Sequence, residues 1–296
     1  MKFLGLLFTC LLVLSCAGTI PITDNRDAAI AFINPAIGFG NGILIGVSKK
    51  NPDIYYMLTV AHMCNIDTTM GYIKDGFQAN PRQAIGQLKV LAEMVKKKVF
   101  CKPTVIAPIN KNCNPGVNGV SATVVAIDFQ RDLMIMRVDL SKAKCKFKTA
   151  KISSAEKIEP GELLHASLVF PAPGGGEATV MLYGRAGLAI KQSCTISTKD
   201  AARSYVQVDL LLGPGTSGSG LYNKDNKLIG IMSCAMAGGP DTMLTRTSLI
   251  VPAKEINDFL LEVGKHDYSR VYCRGDEFLC EAIYGTAEVL GVFGTR

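Results

Sequence analysis

Three short stretches of the chain hold residue types suited to acyl-transfer chemistry. The first is Gly213-Pro214-Gly215-Thr216-Ser217-Gly218-Ser219-Gly220. A serine hydroxyl is a poor nucleophile until a neighbouring base takes its proton. The acyl-transfer transition state also needs donors aimed at a developing oxyanion. Glycines around Ser217 let the backbone turn so that two N–H groups face one point; taken alone, the stretch also reads as a simple Gly/Ser turn. The second is His62, at the end of Leu58-Thr59-Val60-Ala61-His62. An imidazole with a pKa of about 6.5 can take and return a proton at neutral pH, although a lone histidine at a strand end is more often structural. The third is Asp132, directly ahead of the apolar Leu133-Met134-Ile135-Met136. Asp commonly closes a turn before a strand; a functional one would orient an imidazole and stabilise its charged form.

The elements around these residues read mostly as strands. Apolar segments at 43–47 and 55–60 flank the turn-rich Lys49-Lys50-Asn51-Pro52-Asp53, and 122–127 with 133–138 forms a second hairpin-like pair. Further strands are predicted at 163–170, 179–182, 205–211, 228–233 and 247–251. Short strands separated by turn signals predict an all-β architecture. Two helices interrupt it. Over 82–99, Ile85, Leu88, Ala92, Val95 and Val99 form one apolar stripe. A second helix begins after Pro252, a residue well tolerated at a helix start. The polar, lysine-rich 140–160 is the expected linker between a first β unit at 18–139 and a second, with its helix, at 161–264. A cysteine-containing tail follows at 265–296.

The order His62, Asp132, Ser217 is the one used by chymotrypsin-type proteases. Thr59-Val60-Ala61-His62 resembles that family's Thr-Ala-Ala-His segment, and Asp132-Leu133-Met134-Ile135-Met136 its Asp-Ile-Ala-Leu-Leu strand. Gly215-Thr216-Ser217-Gly218-Ser219 resembles its Gly-Asp-Ser-Gly-Gly loop, and Leu228-Ile229-Gly230-Ile231-Met232-Ser233 the strand after it. The chain therefore resembles a serine protease of the trypsin/chymotrypsin superfamily, the PA clan. It is most similar to compact bacterial and viral members of Htr type or glutamyl-endopeptidase type, without a PDZ module. The resemblance implies a double six-stranded β-barrel with an inserted helix and a C-terminal helix. It makes Ser217 the nucleophile, His62 the base and then acid, and Asp132 the residue that orients His62. The N–H groups of Gly215 and Ser217 become the oxyanion hole. Ser219 is the rival nucleophile but lacks the Gly-x-Ser-Gly setting.

Departures from the family shape the expectation. Thr216 stands where trypsin-like zymogens carry an Asp that pairs with a new N-terminus, so activity independent of that switch is expected. Leu211, Ser233, Cys234 and Ala235 are expected along the substrate pocket; none is charged, which predicts an apolar residue before the cut. Cys64 comes one residue late because of Met63, and its usual partner in 43–47 is absent. Cys101 with Cys113, and Cys273 with Cys280, are the local pairing guesses. An α/β-hydrolase esterase is a poor match, because its triad runs Ser, acid, His. A catalytically silent homologue acting as a binding or adhesion protein is the stronger alternative.

The remaining composition bounds the surroundings. Met1-Lys2 followed by an uncharged apolar run through Leu14 predicts a signal peptide at 1–17, hence a secreted or cell-envelope protein. Cys16 keeps a lipoprotein reading open, and membrane contact is expected only if it is lipidated. Eight cysteines beyond the leader (Cys64, Cys101, Cys113, Cys145, Cys194, Cys234, Cys273 and Cys280) suggest disulfides in an exported chain. With three histidines and no CxxC pair, no metal is expected, and the chemistry calls for no cofactor. The net charge of +7 comes without a nucleic-acid-binding module, so no nucleic acid is expected. The expected partner is a protein or peptide substrate, and the expected state is a monomer.

Overall fold

The computed structural model describes residues 29–34, 38–64, 69–70, 73–74, 80–96, 101, 104–106, 120–143, 146–155, 157–171, 177–192, 203–212, 215–235, 245–265, 271–274 and 289–291. The leader at 1–17 with Cys16, and Cys113, Cys145, Cys194 and Cys280, lie outside the described residues.

The first half closes six antiparallel strands into a barrel. They are β1 (Ala29–Asn34), β2 (Gly38–Val47), β3 (Ile54–Thr59), β4 (Thr104–Ile106), β5 (Val120–Asp128) and β6 (Leu133–Asp139). The pairings run β1–β2–β3–β6–β5–β4 and return to β1, leaving no open edge. Pro52 and Asn51 make the β2–β3 turn, where Asn51 Oδ1 accepts the Asp53 N–H at 2.9 Å. In β6, Leu133 to Met136 are all buried and only then does alternation begin, with Arg137 and Asp139 exposed. Both faces of the strand are therefore buried along its first half.

The second half repeats the plan. A short β7 (Lys151–Ile152) precedes β8 (Leu163–Pro171), β9 (Glu177–Gln192), β10 (Arg203–Leu212), β11 (Gly220–Tyr222), β12 (Lys227–Ala235) and β13 (Thr245–Pro252). Pairing runs β11–β8–β9–β10–β13–β12 and closes through β11–β12, with β7 added in parallel to β12. The double six-stranded barrel implied by the resemblance is thus the architecture of the chain. One apolar core spans first-barrel residues such as Leu44, Met57 and Met134 and second-barrel residues such as Tyr205, Tyr222 and Ile231. The second barrel has a smaller core of its own around Leu164, Val208 and Ile250.

Helix α1 (Pro81–Lys96) is the predicted inserted helix, with Pro81 at its first position and Asn80 Oδ1 accepting the Gln83 N–H at 3.2 Å. Its predicted last turn, 97–99, lies outside the described residues, and the predicted apolar stripe is corrected: Ile85 and Ala92 are exposed, whereas Ala84 and Leu91 are buried and Leu88 is half-buried. Helix α2 (Ala253–Val263) buries Ala253, Ile256, Phe259 and Val263, the three-to-four spacing of one face.

Several elements differ from the sequence expectation. β9 is far longer than 179–182; its Gly184 runs so close to β10 that a Cβ there would strike the Asp209 carbonyl and Leu210. Such a glycine reads locally as a strand break. The 140–160 segment is anchored to both barrels: the Ala150 N–H bonds the Leu44 carbonyl and the Ser153 N–H bonds the Leu228 carbonyl. The C-terminal segment adds β14 (Val271–Arg274) in parallel to β5, and β15 (Val289–Gly291) in parallel to β14.

Candidate active site

Three separate elements bring the candidate residues together. His62 lies in the 3-10 turn Ala61–Cys64 that follows β3. Asp132 ends the turn between β5 and β6 at φ 59, a left-handed conformation that Asp tolerates better than most residues. Ser217 lies in the loop ahead of β11, between Gly215 at φ 91 and Gly218 at φ 83. His62 and Asp132 belong to the first barrel and Ser217 to the second.

Asp132 is buried and accepts hydrogen bonds on both carboxylate oxygens. The His62 backbone N–H donates to Oδ1 at 2.8 Å, while His62 Nδ1 and Ser233 Oγ reach Oδ2 at 2.9 and 2.5 Å. Because a carboxylate only accepts, Nδ1 carries the ring proton. That leaves the lone pair of Nε2 facing Ser217 Oγ, 3.1 Å away. The arrangement is a hydroxyl joined to a base that is oriented and charge-stabilised from behind. Its capacity is the activation of an oxygen nucleophile.

The turn that presents Asp132 is held by charge. Asp128 Oδ1 accepts the N–H groups of Gln130 and Arg131, at 2.8 and 3.0 Å. The Arg131 guanidinium bonds Asp128, Glu255 and Glu262, and Arg274 with the Tyr272 hydroxyl completes the set on Glu262. Burial pushes the Asp128 carboxyl up, opposed by the Arg131 N–H and charge. Hydrogen bonds from Arg131 hold Glu262 down at about 2.

The Ser217 loop is held by neutral groups. Gly218 donates its N–H to the Met232 carbonyl at 2.8 Å, and Asn41 donates its own N–H to the Ser217 carbonyl at 2.7 Å. Gly218 permits the left-handed turn and also leaves room: a Cβ there would strike the Asn41 carbonyl oxygen and Thr59 Oγ1.

The pocket residues divide. Ser233 is 1% exposed and its hydroxyl is taken by Asp132, so it backs the acid. Cys234 is buried and disulfide-bonded. The side chains of Leu211 and Ala235 lie outside the described residues. The local pairing of Cys101 with Cys113 is corrected: the Cys101 sulfur meets Cys64 at bonding distance, with the Cα atoms 5.3 Å apart. Cys101 stands 37 positions after Cys64, with α1 between them in the chain, a pairing that spacing does not disclose.

Asn41 is barely marked in the sequence. Its one local signal is a polar residue between Gly40 and Gly42 at the head of an apolar strand.

Two closed six-stranded barrels with this His-Asp-Ser constellation between them define the chymotrypsin-like architecture. Residues 40–231 match the trypsin-like peptidase domain family, and the chain belongs to that family. It is 28% identical over 148 residues to the serine protease Do-like HtrA of Lactobacillus helveticus, covering 49% of this chain and 34% of that protein. It is 26% identical over 141 residues to serine protease HTRA1 of Xenopus tropicalis, covering 48% and 28%. The chain thus spans about a third of the length of these relatives. Among solved structures it resembles the HtrA-type protease AlgW with tripeptide (TM-score 0.53, 14% identity, 81% of this chain and 61% of that one). It also resembles the active form of the Rv3671c protease from M. tuberculosis (TM-score 0.50, 18% identity, 82% and 83%). These likenesses bear on the fold.

Proposed function

We propose that the chain is a serine endopeptidase that cleaves peptide bonds through an acyl-enzyme. The observation carrying this reading is the unbroken hydrogen-bond chain Asp132–His62–Ser217, at 2.9 and 3.1 Å. His62 Nε2 takes the Ser217 hydroxyl proton as Oγ attacks the scissile carbonyl. The N–H groups of Gly215 and Ser217 stabilise the oxyanion. The imidazolium, stabilised by Asp132, then gives its proton to the leaving amine as the C–N bond breaks. Water, deprotonated by His62, attacks the ester, and the proton returns to Ser217 as the acid product leaves.

The substrate is a protein or peptide, with an apolar residue before the cut. The uncharged Leu211 and Ala235 support that preference. Export fits the apolar leader, and oxidation of Cys64 with Cys101 fits an extracytoplasmic compartment.

Labelling with a fluorophosphonate, followed by a peptide-library cleavage profile, tests the reading. Wild type is expected to label, and Ser217→Ala to lose both labelling and about 10^4- to 10^6-fold in kcat. Labelling that persists in Ser217→Ala, or a folded wild type that never labels, would overturn it; the latter is the outcome expected of a silent binding homologue.

A further inference from the structure

The loop bearing Ser217 takes its shape from a residue in the other barrel. Asn41 is 1% exposed and uses four groups at once. Its backbone N–H donates to the Ser217 carbonyl at 2.7 Å. Its Nδ2 donates to the Gly215 carbonyl at 2.8 Å, and its Oδ1 accepts the Val169 N–H at 2.8 Å. Its own carbonyl accepts the Thr59 hydroxyl at 2.7 Å. The partners settle which side-chain atom is nitrogen, because a carbonyl can only accept and a backbone N–H can only donate.

These bonds tie four elements together: β2 through Asn41, β3 just ahead of His62 through Thr59, β8 through Val169, and both ends of the 215–217 segment. Gly215 at φ 91 is a backbone with more than one accessible conformation. Holding its carbonyl selects one of them, and with it the direction of the flanking N–H groups. Thr216 lacks the carboxylate that would let a newly cut N-terminus do the same work.

We infer that Asn41 is a positioning residue that holds the nucleophile loop in its working shape and sets Ser217 at the height of His62. The inference rests on the protease reading above and deepens it. It assigns to a neutral inter-barrel amide the role that a new N-terminus plays in zymogen activation.

Asn41→Asp is nearly isosteric and keeps the acceptor for Val169, but turns an oxygen against the Gly215 carbonyl. Asn41→Ala removes both side-chain bonds. Both are expected to lower kcat and the fluorophosphonate labelling rate by about 10- to 100-fold, with KM within about threefold. Ile43→Val, a core trim two residues away, serves as control and is expected to lower Tm with kcat retained. Thr59→Val, which frees only the Asn41 carbonyl, is expected to lower kcat by a few-fold and decides the matter if the Asn41 variants do not fold.

Folded Asn41 variants with wild-type kcat would overturn the inference. So would a kcat loss that Ile43→Val reproduces at equal Tm, or, where the Asn41 variants do not fold, an unchanged kcat in Thr59→Val. Wild type that labels at Ser217 while the Asn41 variants match it removes this inference alone. Wild type that does not label removes both this inference and the protease reading.

Discussion

The turn carrying Asp132 and the loop carrying Ser217 meet at one histidine, yet they are built in opposite ways. Asp132 is presented by a charged scaffold: Arg131 reaches Asp128, Glu255 and Glu262, and β14 adds Arg274 and Tyr272 from the far end of the chain. The Phe129 N–H also bonds the Arg274 carbonyl at 2.9 Å. Ser217 is presented by glycine geometry, main-chain bonds and the uncharged Asn41. An ion network tolerates small displacements because Coulomb energy falls slowly with distance. A loop that aims N–H groups at one point does not, since hydrogen-bond strength falls steeply with angle. The acid side should therefore fail by loss of stability, and the nucleophile side by loss of catalysis.

Gly218→Ala is the sharpest break. The added methyl meets the Asn41 carbonyl and Thr59 Oγ1 from a left-handed backbone. A fall of about 100-fold or more in labelling rate is expected, together with a lower Tm. A variant that labels at the wild-type rate would contradict the account of the loop.

Arg131→Met keeps the aliphatic stem, leaves the fully buried Asp128 carboxylate without its ion-pair partner and leaves the partly buried Glu262 with Arg274 alone. Urea denaturation is expected to show a loss of about 2–4 kcal/mol. The accompanying change in kcat should be smaller than that of Gly218→Ala, because no bond from Arg131 to His62 or Ser217 enters the triad. A large kcat loss at unchanged stability would reverse the comparison.

The smallest effect is a pH dependence. Arg131 holds Glu262 at about 2 against an ordinary value of 4.5. Its contribution to stability is therefore complete above pH 4.5 and is lost as pH falls towards 2. Asp128 works in the opposite sense: its carboxyl is raised by burial, so protonation relieves a buried charge. Comparing Tm for wild type and Glu262→Gln isolates the first contribution. The gap should be widest above pH 5 and close as pH approaches 2; a gap independent of pH would remove Glu262 from the network's charge balance.

Much of this was legible in the residues because its causes are local. The apolar spacing over 82–99 foretells a helix but not its buried face, which carries Ala84 and Leu91 rather than Ile85 and Ala92; Asp132 before four apolar residues foretells a turn entering a buried strand. The β14 pairing was not legible, since Val271–Arg274 carries no mark of the strand it joins. Nor was the Arg131 network, in which Glu262 lies 131 residues from its partner.

The order of His62, Asp132 and Ser217, the glycines that let the Ser217 loop turn, and the succession of short strands from which two barrels close can all be read from the residues alone. Those properties reside in residue type and near-neighbour spacing. That Cys101 meets Cys64 and that Asn41 holds a loop 174 residues further along emerge only in the folded chain. Chain closure over such distances leaves no local pattern, and a buried amide reveals its use only when the groups it must satisfy are assembled around it.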